Sequence, residues 1–187
     1  MIAGMLTVER ATDADIEALT ALVNSCYRGD ESRAGWTTEA DFLDGQRTDP
    51  AMLRAELAER PGALMLVMRD APAPEPIGTV WLEPRAGGTW YLGMLSVRPD
   101  MQSRQLGRRL LAEGERYARE RGATRMRISV FPMRDTLLAW YERRGYHATG
   151  ETLPFPYGEE RHGIPLRDDL HFVVLEKPLG AEGGGRG

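Results

Sequence analysis

The sequence predicts a mixed α/β (α+β) fold, and three observations predict it. Short apolar runs at 63–68, 77–82, 90–97 and 170–176, with the alternating Met126, Ile128 and Val130, have the length and spacing of strands. Between them, apolar residues recur at helical spacing, as in Ile16, Leu19, Val23 and Cys26, or Leu106, Leu110 and Leu111. Proline and glycine clusters separate these segments, and no internal repeat is visible.

In chain order, Leu6 and Val8 start a short strand. Thr12, with Asp15 three residues on, is a capping-box variant that opens a helix reaching Tyr27. Polar, glycine-containing residues 28–37 form a loop. Thr38-x-x-Asp41 and Asp49-Pro50 each predict a further helix start, the latter with proline at the first helical position, and Arg60-Pro61-Gly62 ends it. Three strands follow, joined by loops at 71–76 and 84–88. An amphipathic helix carrying Leu106, Leu110, Leu111, Tyr117 and Ala118 stops at Gly122. After the strand at 126–130, a last helix holding Leu137, Leu138 and Tyr141 stops at Gly145. Segment 151–169, with three prolines and two glycines, is too long for an ordinary connection. It reads either as a surface excursion or as a functional loop. The whole reads as one domain over 1–179, followed by a flexible glycine-rich tail at 180–187.

Of 187 residues, 42% are hydrophobic and 28% charged, an ordinary globular balance. No apolar run approaches the roughly 18–20 residues that span a membrane, and Met1–Val8 lacks the basic flank of a secretory signal. The single cysteine, Cys26, excludes an internal disulfide framework and fits a reducing cytoplasm; its neighbours supply no base, so it reads as helix core. His147, His162 and His171 are scattered without ligand spacing, so no metal is expected. A net charge of −4 argues against nucleic acid as a partner. Yet Arg98 to Arg121 holds seven arginines against Asp100, Glu113, Glu115 and Glu120, a local +3 that leaves −7 for the remainder. A basic stretch inside an acidic protein points to a site for a discrete polyanion.

That stretch runs from strand to helix through Val97-Arg98-Pro99-Asp100-Met101-Gln102-Ser103-Arg104-Gln105-Leu106-Gly107-Arg108. Pro99 cannot donate to a ladder and ends the strand. The helix that follows presents unpaired N–H groups and a positive dipole end, a natural seat for phosphate oxygens. Arg104 and Arg108 add charged donors. An ordinary strand–loop–helix crossover with solvated arginines has the same outline.

Val-x-Pro followed by Gln102-x-x-Gln105-x-Gly107 resembles the acetyl-CoA motif of the GNAT acetyltransferases, (Gln/Arg)-x-x-Gly-x-(Gly/Ala). Ala139-Trp140-Tyr141-Glu142-Arg143-Arg144-Gly145-Tyr146 resembles the family's second signature. The order of strands and helices is similar over most of the chain. The resemblance implies a mixed, mostly antiparallel central sheet with splayed central strands, flanked by about four helices. It implies transfer of acetyl from acetyl-CoA (coenzyme A) directly to a primary amine of a small molecule or peptide, and it allows a homodimer. Gln105 stands where the family usually has its first glycine; a residue already in helical φ/ψ would make glutamine acceptable there.

By the same resemblance the cofactor lies along Leu95, Ser96 and Val97 and over Gln102, Ser103, Arg104, Gln105, Leu106, Gly107 and Arg108. Gly93 suits a bulge that opens the splay, close packing being the plainer reading. Arg134 stands where relatives contact the cofactor through Asn, and here it would pair with a phosphate or remain solvated. Tyr141 would protonate the departing thiolate; by spacing alone it equally fits a core tyrosine. Glu83 and Glu39 are candidate bases for the amine, Glu39 also lying with Trp36 in the expected acceptor region; solvated carboxylates and a hydrophobic plug are the plainer readings. The acidic remainder favours a cationic acceptor, such as an amino acid derivative, polyamine, aminoglycoside or lysine side chain. A coenzyme A-binding sensor without catalysis and a scaffold that keeps only the fold are the rival functions.

Overall fold

The computed structural model describes residues 4–35 and 37–180, without the side chain of Ser103. Trp36 and all of the expected glycine-rich tail except Gly180 lie outside the described residues.

Strands β1 (Met5–Arg10), β3 (Leu64–Ala71), β4 (Pro76–Pro84), β5 (Thr89–Val97), β6 (Arg125–Val130), β7 (His147–Pro154) and β9 (His171–Pro178) form a seven-stranded sheet in the order β1-β3-β4-β5-β6-β9-β7. Every neighbouring pair is antiparallel except β5 and β6, which run parallel. That pair is joined by a helix, α3 (Leu106–Glu120), as a parallel connection requires. The remaining helices are α1 (Ile16–Tyr27), α2 (Pro50–Glu59) and α4 (Asp135–Glu142). Two-residue strands β2 (Leu43–Asp44) and β8 (Ile164–Pro165) pair with each other away from the main sheet.

Both faces of the central strands are covered, which is why β3 reads as an unbroken apolar run and not as an alternation. Leu64, Leu66 and Met68 pack with Leu106, Leu110, Leu111 and Ala118 of α3 and Leu137 of α4. Met65 and Val67 point the other way, onto Ile16, Leu19 and Val23 of α1 and Leu53 of α2. Each fully buried leucine on these faces contributes about 1.5–3 kcal/mol relative to exposure.

The predicted start signals behave unequally. Thr12 N–H donates to Asp15 Oδ2 at 2.7 Å, and a single 3-10 turn at Asp13–Asp15 leads into α1. Asp49 caps α2 by accepting from Met52 N–H at 2.8 Å, with Pro50 at the first helical position. Thr38-x-x-Asp41 starts no helix. Thr38 Oγ1 accepts from Ala40 N–H at 3.2 Å, while Glu39 N–H donates back to Tyr27 O at 3.0 Å. That return contact pins the loop to the end of α1 and turns the Glu39 carboxylate inward. Segment 151–169 is also more structured than expected: its first four residues belong to β7, and Ile164–Pro165 pair with β2. Among the described residues no helix is long and apolar enough to cross a membrane.

Candidate active site

The sheet opens at its centre. β5 and β6 pair at Thr89–Arg125, Trp90–Met126 and Tyr91–Arg127. Beyond Tyr91, β5 stays with β4 as far as Val97, while β6 stays with β9 as far as Val130, so the two diverge. A bulge steepens the divergence: Trp81 pairs with Gly93 but Thr79 with Ser96, one residue extra on β5. The left-handed residue of the bulge is Met94, φ 47°, and not the adjacent Gly93. Gly93 serves a different need, since a Cβ there would sit 2.9 Å from Cε1 of Tyr91. Leu95 O accepts from Tyr27 Oη at 2.6 Å, Ser96 is fully buried, and Val97 O accepts from Gln102 Nε2 at 2.9 Å.

Past Val97 the chain makes a 3-10 turn, Pro99–Arg104, and enters α3 through Gln105. Gln105 is not helical: at φ 58°, ψ 19° it takes the left-handed conformation that glycine adopts freely. The expectation that glutamine sits here within a helical turn is therefore overturned. The reversal from the 3-10 turn into α3 needs a positive φ whatever side chain occupies the position. Gln102 also reaches Thr37 Oγ1 at 3.4 Å, so its amide ties the turn to the strand end and the N-terminal loop. The side chain of Leu106 is core, whereas Arg104, Gln105 and Arg108 are exposed.

An outer groove of about 330 Å³ lies over the start of α3. Gln102, Gln105, Gly107 and Arg108 form one wall, and Thr136, Ala139, Trp140, Arg143 and Arg144 of α4 and its C-terminal end form the other. Arg144 stacks 3.8 Å above the centroid of Trp140, donates to Trp140 O at 2.8 Å and keeps a buried Nε with no partner among the described residues. Burial, then the charges of Arg108 and Arg143, lower its pKa. Three guanidiniums gather here with no carboxylate in the wall, an arrangement completed by an anion.

The inner cavity, about 380 Å³, begins at the splay. Met94 and Leu95 of β5, Ser129 and Val130 of β6, Arg134 just before α4 and Tyr141 within it line the cavity, with Tyr27, Arg28 and Glu39 opposite. Phe155, Pro156 and His162, from the connection after β7, close the side, so the long segment does wall the cavity. Burial raises the Tyr141 phenol well above the ordinary tyrosine range, which keeps its proton on at neutral pH.

Three sequence candidates sit differently from expectation. Glu83 is absent from the cavity wall; its Oε2 accepts from Arg60 Nη1 at 3.1 Å and Trp81 Nε1 at 3.2 Å, holding those two residues at the rim. Glu39 lines the cavity, in the expected acceptor region, but its two oxygens accept from Arg28 Nη1 at 2.7 Å and Arg134 Nη1 at 3.4 Å, the arrangement of a counter-ion. Arg134 is buried in this inner triad and faces no part of the outer groove, so its placement does not support a phosphate contact. Cys26 is sealed in the core, its thiol pushed up to about 11 by burial.

The sequence reading missed His162. Its Nδ1 is buried without a partner among the described residues, Nε2 lies 4.0 Å from Glu56, and burial, reinforced by Arg47, lowers its pKa below the ordinary imidazole value. Its local sequence carries no signal, because only the path of the chain after β7 brings it here.

Solved structures of similar fold include several acetyltransferases. The ribosomal-protein-alanine N-acetyltransferase of Brucella melitensis has a similar structure, with TM-score 0.67 and 21% identity over 92% of this chain and 99% of that one. The ribosomal-protein-S18-alanine N-acetyltransferase of Escherichia coli gives 0.66 and 16% over 97% and 100%. The yncA protein of Salmonella typhimurium, solved with its cofactor acetyl-CoA, gives 0.66 and 19% over 96% of both chains. No curated protein sequence matches the chain. The family model described as acetyltransferase (GNAT) family matches residues 16–146, and the chain is accordingly an acyltransferase that belongs to the GNAT family.

Proposed function

We propose that the protein moves an acetyl group from acetyl-CoA directly to a primary amine of a small molecule or peptide. The observation that carries this is the splay between β5 and β6, with an anion-seeking groove at the start of α3 and a cavity lined by Tyr141 beginning at the splay. In this reading the first N–H groups of α3, at Leu106, Gly107 and Arg108, and the guanidiniums of Arg108 and Arg144 hold the diphosphate. The edge of β5 that β6 leaves beyond Tyr91 pairs with amide groups of the pantetheine arm. Acetyl-CoA supplies the acyl group as a thioester. A yncA structure with acetyl-CoA bound, similar over 96% of the chain, supports the donor. The two alanine N-acetyltransferases of similar fold support an amine acceptor.

Within the cavity, His162 takes the proton of the attacking ammonium, directly or through water. The amine nitrogen then bonds to the acyl carbon, the C–S bond breaks as Tyr141 gives its proton to the leaving thiolate, and the second amine proton returns to the Tyr141 oxygen, directly or through water, leaving a neutral amide. Cys26, buried behind β5, forms no acyl-enzyme.

Thermal unfolding with excess acetyl-CoA tests the donor, and coenzyme A thiol release with an amine panel tests the transfer. Stabilisation of about 2.7 kcal/mol is expected when the ligand is at a hundred times its Kd. No stabilisation removes both the enzyme and the sensor readings, and stabilisation without thiol release leaves the sensor.

A further inference from the structure

Arg28 is 5% exposed, Arg134 8% and Glu39 8%, so two buried guanidiniums share one carboxylate in the wall of the inner cavity. Burying a cation is unfavourable unless its charge and donors are met. Here they are not fully met: Arg28 Nε and Arg134 Nη2 are buried with no partner among the described residues. Arg28 is otherwise well held, by Glu39 and by His162 O at 2.7 Å. Arg47 brings a further like charge close enough to depress the pKa of Arg28, after burial itself. The rim arginines have acids of their own, Arg60 and Arg85 sharing Glu83, and Arg127 pairing with Glu151 and Glu176. The inner group, Arg28, Arg47 and Arg134 against Glu39 and Glu56, is one negative charge short.

We propose that the acceptor amine also carries a carboxylate, seated on Arg134 with Arg28 behind it, so that the substrate class is amino-acid-like. This rests on the transferase reading above. The cofactor does not supply the missing charge: its phosphates have the outer groove and separate arginines, and its pantetheine arm is neutral. A guanidinium fork matches a planar carboxylate with two parallel hydrogen bonds. Arg134 is the N-cap of α4 and lines the same cavity wall as Tyr141, so an anion on Arg134 is anchored in the cavity that holds the reacting atoms. Phe131, Phe155 and Phe172 offer the substrate body an apolar wall. The seat narrows the acceptors expected from the acidic composition to the amino acid derivatives, whose ammonium comes with a carboxylate.

Two measurements test the seat separately from turnover. N-acetylphenylalanine and N-acetylmethionine, each against its own carboxamide, are titrated into the protein with coenzyme A present, by calorimetry. The acids are expected to bind at least about thirty-fold more tightly than the amides, the gap narrowing with salt. Arg134→Gln is expected to close it while leaving the coenzyme A Kd within about threefold. Amides that bind as well as the acids, acids that do not bind, or an unchanged gap in a folded Arg134→Gln protein overturn the proposal. In parallel, thiol release is followed with phenylalanine against phenethylamine. Equal rates refute the carboxylate preference but leave the transferase reading standing. Binding of the acids with no thiol release for any amine leaves the seat and removes the transferase.

Discussion

Replacing Gln105 tests whether backbone conformation, and not the side chain, is what the cofactor loop requires. Gln105 stands at φ 58°, ψ 19°, where an L-residue loses about 1–2 kcal/mol relative to right-handed backbone. Gln105→Gly removes that strain, but the more flexible unfolded chain takes back about 0.5–1 kcal/mol. The net expectation is a gain between roughly zero and 1.5 kcal/mol, at most about 3–6 °C in Tm for a chain of 187 residues. Gln105→Asn gains a few tenths of a kcal/mol, since a short polar side chain tolerates this region. Gln105→Val, branched at Cβ, loses about 1 kcal/mol or more. Because the side chain is exposed, none of this depends on lost packing. Urea unfolding and scanning calorimetry of the ligand-free protein rank the variants, and calorimetric titration with coenzyme A checks that Gln105→Gly binds at least as tightly. A ranking with valine neutral and glycine destabilising by 1 kcal/mol or more would refute a left-handed Gln105, and with it the account of how glutamine replaces the family's glycine.

Three further expectations are simpler. Tyr141→Phe lowers kcat by about a hundredfold or more while the acetyl-CoA Kd stays unchanged; equal steady-state rates remove the proton-donor role. The lowered pKa of His162 means that the unfolded chain binds more protons between the folded-state pKa and about 6.5, so its contribution to stability is present above pH 6.5 and lost as pH falls. The acid limb of the kcat–pH profile lies below that value, and His162→Gln abolishes it; a limb that persists reassigns the base. Gly114→Ala in α3 stabilises by up to about 1 kcal/mol, because the new methyl meets Leu82 and Leu92 at 3.4 Å, ordinary contact, while helix propensity improves; a lower urea midpoint would show the interface is tighter than that.

The main elements were legible because each carries a local cause. Apolar periodicity marked α1, α3 and the buried strands, while Asp49-Pro50, Gly122 and Gly145 marked ends through their own backbone chemistry. β7 was missed because it is an edge strand with nearly every residue exposed, so no face imposes an alternation. The irregular register between Ala148 and Thr152 blurs it further. Thr38-x-x-Asp41 misled for the opposite reason. Its capping pattern is genuine, but the contact of Glu39 with the end of α1 outweighs the local preference, as tertiary contacts commonly do.

The two halves of the site differ in the same way. The outer groove depends on one continuous stretch and one helix end, so a short motif suffices to find it. The inner cavity is assembled from Arg28, Glu39, Arg134 and His162, and the bond from Arg28 to His162 O spans 134 positions. No spacing rule connects such residues. Net charge says little about the acceptor site for a physical reason: exposed acids are screened within about 8–10 Å, whereas two guanidiniums and one carboxylate buried together act on a bound group with far less screening. A chain of charge −4 therefore encloses a cavity that favours an anion, and what the substrate meets is set by the few charges it shares a wall with.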